Sequence, residues 1–361
     1  MINGSLVVDA VVHPYNLAPD NQNPEATAQL ESVYSAHMLA TGEDHEEHIL
    51  KREEFFSDFP FEAVGRSLFV ESPIDFAVIH ALPNLGFARE HVTDPMRAGA
   101  YRARHPQRFR LYATVDTPVV ADAIKQLERQ VRDLEVIGLK LYPAFFYDNV
   151  GEGWRMDGDD FAAPVLEAAR DLGIKHVAVH KALWLRPAPR SAFDIDDMAG
   201  ALDRFPDLTF QMVHAGSAFV DQTVELLKSF QNMYATLEST FAYAVVRPEV
   251  FSAILGKLLR ESGADQLLFA SGSNLSHPAP LLEAFSTFQF SDQDQREHGF
   301  PPLSEEDRAK ILGGNLIRQL GLDEQEIRSG IAQDEFTRAR AESPVRPWSA
   351  IRDGSFAGAS P

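Results

Sequence analysis

The chain of 361 residues is acidic, with a formal net charge of -20, and contains no cysteine. The charge disfavours nucleic acid and anionic membrane surfaces as partners, and the missing cysteines exclude disulfides, thiolate zinc sites and cysteine nucleophiles. No stretch approaches the roughly 18 consecutive apolar residues of a membrane span, and no secretory signal is visible. We therefore expect a cytoplasmic protein whose partner is a small-molecule substrate.

Eight short apolar or β-branched runs recur along the chain with amphipathic stretches between them. Their nearly continuous hydrophobicity is typical of parallel strands buried on both faces. The predicted strands cover residues 5–12, 75–82, 109–115, 135–142, 174–180, 208–214, 233–238 and 266–271. Strands that alternate with helices predict an α/β fold, here a (β/α)8 TIM-type barrel. The alternative is an open doubly wound sheet, which the same alternation allows.

Two additions to the barrel are predicted, so that residues 1–322 form the barrel and residues 323–361 a C-terminal extension. Residues 16–63 form a helical insertion after the first strand, which should lie over the catalytic face as a lid or a dimer contact. A helix over 304–320 should close the barrel. The extension should pack on the barrel or on a second subunit and end loosely, so either addition could support a homodimer.

Polar side chains stand at the predicted carboxyl ends of the strands, which is where a barrel of this type keeps its chemistry. They are His13, His80, Asp116, Lys140, Tyr142, His180, His214, Glu238, Ser271, Ser273 and Asn274. Histidine is a common metal ligand and a general base near neutral pH. Because His13, His180 and His214 end different strands, they should converge on one opening. His80 is better explained by packing within its strand.

Four of these residues are candidate catalytic groups. His180 or His214 could take a proton from water, with Glu238 orienting the imidazole or acting as the base itself. Lys140 could hold a substrate carboxylate or polarise a carbonyl group. Simpler explanations exist for two of them, since Lys140 could extend to the rim and Glu238 could form a buried ion pair with Lys140 or Lys181.

The segments after strands five and eight supply candidate substrate-binding residues. Lys181, Trp184 and Arg186 could form a cationic and aromatic surface suited to a carboxylated ring, although an ordinary loop with a packed tryptophan explains them too. Ser273 and Asn274 could donate hydrogen bonds to an oxyanion. His45 and His48, in the insertion, fit a solvated acidic helix face better than a metal site.

Several motifs in chain order resemble the amidohydrolase superfamily, specifically the amidohydrolase-related branch that includes aminocarboxymuconate-semialdehyde decarboxylase. The motifs are Asp9-x-x-x-His13-Pro14, Gly138–Pro143, Val179–Lys181, Phe205–Leu208 with Val213–Gly216, Asn232–Glu238, Leu268–Ser271 and Ile311–Asn315. They extend over nearly the whole predicted barrel. The resemblance implies the barrel fold, but it leaves the substrate open because the branch contains decarboxylases, hydratases and hydrolases.

The resemblance also implies a divalent metal held by His-x-His on strand one, a histidine on strand five and an aspartate on strand eight. Here Val11 and Gly272 occupy two of those positions. His13 and His180 remain as ligands, with Glu238, Asn274 or His277 as substitutes for the lost ones. A catalytic zinc normally has three protein ligands. We therefore expect no tightly bound cofactor, with zinc or manganese in a remodelled site as the alternative.

Three functions are compatible with these residues. The first is hydrolysis of a lactone, amide or related bond in a small cyclic or carboxylated substrate, with water activated by histidine. The second is a lyase reaction, decarboxylation or hydration, of the aminocarboxymuconate-semialdehyde decarboxylase type. The third is a catalytically inactive barrel that binds ligands.

Overall fold

Eight parallel strands form one sheet in a computed structural model that describes residues 1–147, 150–342 and 346–354. The order of the strands is β1-β2-β3-β4-β7-β8-β9-β10, and β5 and β6 form a separate antiparallel hairpin. The strands are β1 (Val8–Val12), β2 (Phe76–His80), β3 (Phe109–Thr114), β4 (Gly138–Leu141), β5 (Ala144–Tyr147), β6 (Val150–Gly153), β7 (His176–His180), β8 (Thr209–Val213), β9 (Met233–Thr236) and β10 (Leu267–Leu268).

Backbone hydrogen bonds join the last strand region to the first and close the sheet. The Ala10 amide donates to the Phe269 carbonyl at 3.1 Å, and the Gly272 amide donates to the Val11 carbonyl at 3.0 Å. The closure confirms the predicted (β/α)8 barrel and excludes the open sheet. It also joins the site residues of β1 directly to the loop after β10.

Helices cover the outside of the barrel and extend beyond it. They are α1 (Thr27–Thr41), α2 (Arg52–Phe55), α3 (Phe61–Phe69), α4 (Pro95–Arg104), α5 (Val120–Leu134), α6 (Ala162–Asp171), α7 (Met198–Arg204), α8 (Val220–Ser229), α9 (Thr240–Val246), α10 (Pro248–Ser262), α11 (Pro278–Thr287), α12 (Asp292–His298), α13 (Glu305–Ala309), α14 (Asn315–Leu320), α15 (Glu324–Ile331), α16 (Glu335–Glu342) and α17 (Ser349–Arg352).

Alternation along the strands divides the core into two layers. On β8, Phe210 and Met212 pack in the larger cluster between sheet and helices, whereas Val213 joins a smaller cluster with Ala10 and Ala178. The smaller cluster fills the barrel interior, and the polar site residues lie above it. Burial on both faces explains why the strands read as continuous apolar runs.

The helix predicted over 304–320 is interrupted. A single π-helical segment, Lys310–Gly314, separates α13 from α14. At this point the helix approaches β1 so closely that a Cβ on Gly313 would lie 2.5 Å from the Leu6 carbonyl oxygen. The side chain of Asn315 then donates to the carbonyl oxygens of Ala264 and Leu267 at 2.6 and 2.8 Å, which holds the helix against the start of β10.

The C-terminal extension packs on the barrel through α15, α16 and α17. The buried Arg108 of the barrel donates to both carboxylate oxygens of Asp334. Farther along, the amides of Trp348 and Ser349 donate to the buried carboxylate of Glu71 at 2.8 and 2.9 Å. The predicted loose end falls on residues 355–361, outside the described residues, and the homodimer stays a prediction.

Candidate functional site

A cavity of about 570 Å³ opens at the carboxyl ends of the barrel strands. His13, His180, His214 and Glu238 line it where β1, β7, β8 and β9 end. Its walls are mostly apolar and aromatic, and include Val33, Leu85, Phe87, Tyr142, Trp184 and Leu275. The predicted convergence of the three histidines is therefore present, and the space suits a small ligand with an apolar ring.

Two of these histidines form a directed chain of hydrogen bonds. His180 Nε2 lies 2.8 Å from the Leu183 carbonyl oxygen, so this nitrogen must carry the proton. In the neutral ring Nδ1 then accepts, and it lies 3.2 Å from His214 Nε2, which must donate. His214 Nδ1 accepts in turn from the Ser239 hydroxyl at 3.0 Å. Burial lowers the pKa of both rings well below the usual value, which keeps them neutral.

His13 lines the cavity, and only one of its ring nitrogens has a hydrogen-bond partner among the described residues. Its Nδ1 lies 3.2 Å from the His80 carbonyl oxygen and must donate, which leaves the lone pair on Nε2. The ring stacks against Tyr15 with centroids 5.9 Å apart. Burial, with the charge of Lys140 as a smaller cause, lowers the pKa of His13 to about 3. His13 is thus a neutral hydrogen-bond acceptor.

Glu238 places an unusually basic carboxylate in the cavity. Its Oε2 has no hydrogen-bond partner among the described residues, and it lies 3.9 Å from Nε2 of the neutral His214 ring. Burial raises the pKa of Glu238 to about 7, an effect that Lys140 opposes and Asp9 strengthens. Near neutral pH the group can therefore either donate or accept a proton.

Lys140 lies behind the cavity wall. Its Nζ sits 4.9 Å from the ring centroid of Tyr142 and, within the described part of the chain, has no hydrogen-bond partner. Burial lowers the pKa of Lys140 to about 8, against the opposing effect of Glu238. The ammonium is thus a buried positive charge at neutral pH, and it does not extend to the rim.

The residues present do not fit the divalent metal that the resemblance implies. Val11 is fully buried in the apolar interior cluster, and both ring nitrogens of His180 are used in hydrogen bonds. A Cβ on Gly272 would lie 2.5 Å from Glu238 Oε1, so the carboxylate of Glu238 fills the space beside this position. Of the ligands that the resemblance implies, only His13 has a nitrogen lone pair that is not used in these hydrogen bonds.

The other candidate ligands are occupied elsewhere. Asn274 accepts from the Tyr15 amide at 3.0 Å, and His277 pairs with Glu71 at 3.1 Å, away from the cavity. In the described ranges, the only three metal-ligating side chains within 4.8 Å of one another are His45, Glu47 and His48. They belong to the insertion and do not line the cavity.

The predicted substrate-binding residues divide into two groups. Trp184 and Arg186 line the cavity mouth, where the guanidinium lies 4.4 Å from the centroid of the Trp184 ring. Lys181 does not reach the cavity, because its buried ammonium donates to Asp197 at 2.7 Å and to two backbone carbonyls. Ser273 and Asn274 are fully buried beside β1 and do not line the cavity either.

Helix α1 contributes cavity residues that were not among the predicted site residues. Ala28, Ser32 and Ala36 line the cavity together with Gln29. The signal lies in the spacing, because small residues at i, i+4 and i+8 form one face of a helix that can approach another surface closely. Part of the insertion thus lies over the cavity, and its role as a lid or a dimer contact stays a prediction.

Similarity to solved structures shows the barrel again, at low sequence identity. An uncharacterized TIM-barrel protein from Bordetella bronchiseptica has a TM-score of 0.62 and 16% identity, covering 87% of this chain and 99% of that one. A dihydroxybenzoic acid decarboxylase from Polaromonas sp. JS666, solved with manganese and the inhibitor 2-nitroresorcinol, has a TM-score of 0.56 and 16% identity over 90% and 99% of the chains.

A candidate 2-pyrone-4,6-dicarboxylic acid hydrolase from Pseudomonas putida has a TM-score of 0.52 and 17% identity, covering 88% of this chain and 97% of that one. No curated protein matches the chain significantly. None of the helices in the described ranges is both long and apolar enough to cross a membrane. The amidohydrolase family model matches residues 9–322, and the chain therefore belongs to this amidohydrolase family, as its motifs predicted.

Proposed function

We propose that the protein is a lyase that decarboxylates a small cyclic carboxylic acid, with Glu238 as the proton donor. The observation that carries the proposal is a cavity-lining carboxyl group with a pKa of about 7, one oxygen of which is buried without a hydrogen-bond partner among the described residues. Decarboxylation needs an acid that protonates carbon as the carboxylate leaves.

The reaction balances with the groups at hand. The bond between the ring carbon and the carboxylate breaks, and its electron pair stays on the ring carbon. The protonated Glu238 gives its proton to that carbon, carbon dioxide leaves, and Glu238 regains a proton from solvent. His13 Nε2 can accept a hydrogen bond from a hydroxyl substituent, and Tyr142 and Trp184 offer aromatic faces to the ring.

The solved structures with the same fold support the class of substrate, a small ring, but not its identity. One is a decarboxylase that binds a nitrated dihydroxybenzene, a planar ring of a size that suits a cavity of about 570 Å³. Its manganese is not carried over to this chain, because Val11 and Gly272 stand at two positions where the resemblance implies metal ligands.

Hydrolysis of a cyclic ester is the second candidate function. The same pKa of about 7 leaves a large fraction of Glu238 ionised near neutral pH, when it can take a proton from water. This route replaces the histidine base expected from the sequence, because the hydrogen-bond chain leaves neither His180 nor His214 a free lone pair.

Isotopes separate the two reactions. The protein is incubated with 2,6-dihydroxybenzoate and with 2-pyrone-4,6-dicarboxylate, once in D2O and once in H2(18)O. Decarboxylation releases carbon dioxide and places one deuterium on the ring, whereas hydrolysis places one 18O in the product. Glu238→Gln should abolish turnover and the exposed control Glu225→Gln should not. Incorporation of 18O without release of carbon dioxide would replace the lyase proposal with the hydrolase.

A further inference from the structure

The metal position implied by the resemblance is closed by this chain's own side chains. On one side, Val11 offers no ligand and packs with apolar residues. On the other, Glu238 Oε1 lies where a side chain at position 272 would begin, and Gly272 leaves that space open to it. The Glu238 carboxylate, which follows β9, thus occupies the space beside position 272, where the resemblance implies an aspartate.

A positive charge is nevertheless present at the same end of the barrel. The Lys140 side chain is fully buried, and its Nζ faces the ring of Tyr142, which stacks on His180 with centroids 4.6 Å apart. The charge of Lys140 contributes to the lowered pKa of His13, His180 and His214 alike, as expected for an ammonium near all three rings. Within the described part of the chain, Lys140 Nζ and Glu238 Oε2 have no hydrogen-bond partner, and neither have the two ring nitrogens of the buried His80.

We infer that the Lys140 ammonium supplies, in place of a divalent metal, the fixed positive charge that attracts an anionic substrate into this cavity. Glu238 supplies the carboxylate of the missing aspartate. The inference deepens the proposed function, since it names the source of the charge that holds the acid. It concerns binding and metal dependence, so it is tested without turnover.

A lysine can fill this role only in part. In a site of low dielectric constant, one fixed charge a few ångströms from a carboxylate is worth far more than it is in water. An ammonium cannot, however, coordinate a water molecule and lower its pKa as a metal ion does. The site should therefore select ligands that already carry a negative charge, and neutral analogues should bind independently of Lys140.

The test compares a charged and a neutral probe of the same shape. Calorimetry measures binding of benzoate and of benzamide to the wild type, to Lys140→Met and to the control Lys125→Met, whose lysine is 73% exposed. We expect Lys140→Met to weaken benzoate binding about tenfold or more while benzamide binding stays unchanged. The same variant should melt at a higher temperature, because an unpaired charge leaves the interior.

Two results would overturn the inference. One is equal weakening of both probes with a lower melting temperature, which would indicate a structural lysine. The other needs no variant: elemental analysis of wild-type protein from cells grown with added zinc and manganese. A stoichiometric metal that is absent from His13→Ala would show that the site holds an ion. Selective benzoate binding without release of carbon dioxide from any acid would retain this inference and refute the proposed decarboxylation.

Discussion

Two buried lysines near the carboxyl ends of neighbouring strands are held in opposite ways. The Lys181 ammonium, after β7, donates to the Ala192 and Asp194 carbonyls and to Asp197, at 2.7 to 2.9 Å, so all three of its protons are used. The Lys140 ammonium, in β4, has no hydrogen-bond partner among the described residues. Lys181 fastens a loop to the barrel, whereas Lys140 keeps its charge free for the site.

The carboxylates show the same contrast. Glu71 accepts hydrogen bonds from the Trp348 and Ser349 amides and pairs with His277, which fastens the C-terminal extension beside the loop after β10. Glu238 lines the cavity, and one of its oxygens has no hydrogen-bond partner in the part of the chain that the structure describes. A buried polar group without a hydrogen-bond partner lowers stability. When such a group lies at a cavity, it is therefore a candidate functional group, whereas a fully hydrogen-bonded group is explained by its structural contacts.

The largest expected effect is the loss of activity when Glu238 is replaced. Glu238→Gln should lower kcat about 100- to 10,000-fold, because the amide cannot transfer a proton. With the acid form required, wild-type kcat should fall as pH rises through the pKa of about 7. A pH–rate profile of the wild type measures this, and a profile that rises through pH 7 would indicate a base in place of an acid.

Replacement of Lys181, whose ammonium is fully hydrogen-bonded, should lower stability and not only activity. Lys181→Met leaves the buried carboxylate of Asp197 without its cation, and should lower the free energy of unfolding by about 3–5 kcal/mol. Urea denaturation measures the change. The double variant Lys181→Met with Asp197→Leu should recover much of the loss, since no unpaired charge remains. If the single variant were as stable as the wild type, the contrast between the two lysines would fail.

Stability should also depend on pH through Glu238. Because its pKa is raised from 4.5 to about 7, the folded protein keeps a proton there that the unfolded chain has released. The stabilising contribution is complete below pH 4.5 and is lost as pH rises to 7, a difference of about 3 kcal/mol. Subtracting the unfolding free energies of Glu238→Gln from those of the wild type across this window isolates the contribution. A flat difference would contradict the raised pKa.

The smallest effect concerns the position of the missing aspartate. In Gly272→Ala the new Cβ would lie 2.5 Å from Glu238 Oε1, on a backbone with φ +65°. Glu238 must move, and we expect a stability loss of about 1–3 kcal/mol from the left-handed backbone. The control Gly173→Ala has the same strain, φ +86°, but open space around it. Activity lost in Gly272→Ala and kept in Gly173→Ala would attribute the loss to displacement of Glu238.

Sequence patterns predicted most of the fold and part of the site. All eight barrel strands lie within their predicted ranges, because parallel strands buried on both faces leave continuous apolar runs in the sequence. The last strand is the shortest, Leu267–Leu268, where 266–271 was predicted. Beyond it the Phe269 amide donates to the Ile311 carbonyl outside the sheet, while the Phe269 carbonyl still accepts from Ala10 of β1. His13, His180 and His214 converge as expected because strand ends converge in any barrel.

The direction of each side chain was decided only by tertiary structure. By itself, the sequence predicted a barrel with histidines at its strand ends, with Val11 and Gly272 at two positions where the resemblance implies metal ligands. The sequence predicted both Lys140 and Lys181 as site residues and could not separate them. It also did not show that Glu238 would occupy the space beside Gly272. Those outcomes depend on contacts between residues far apart in the chain, such as Lys181 with Asp197, which leave no local pattern.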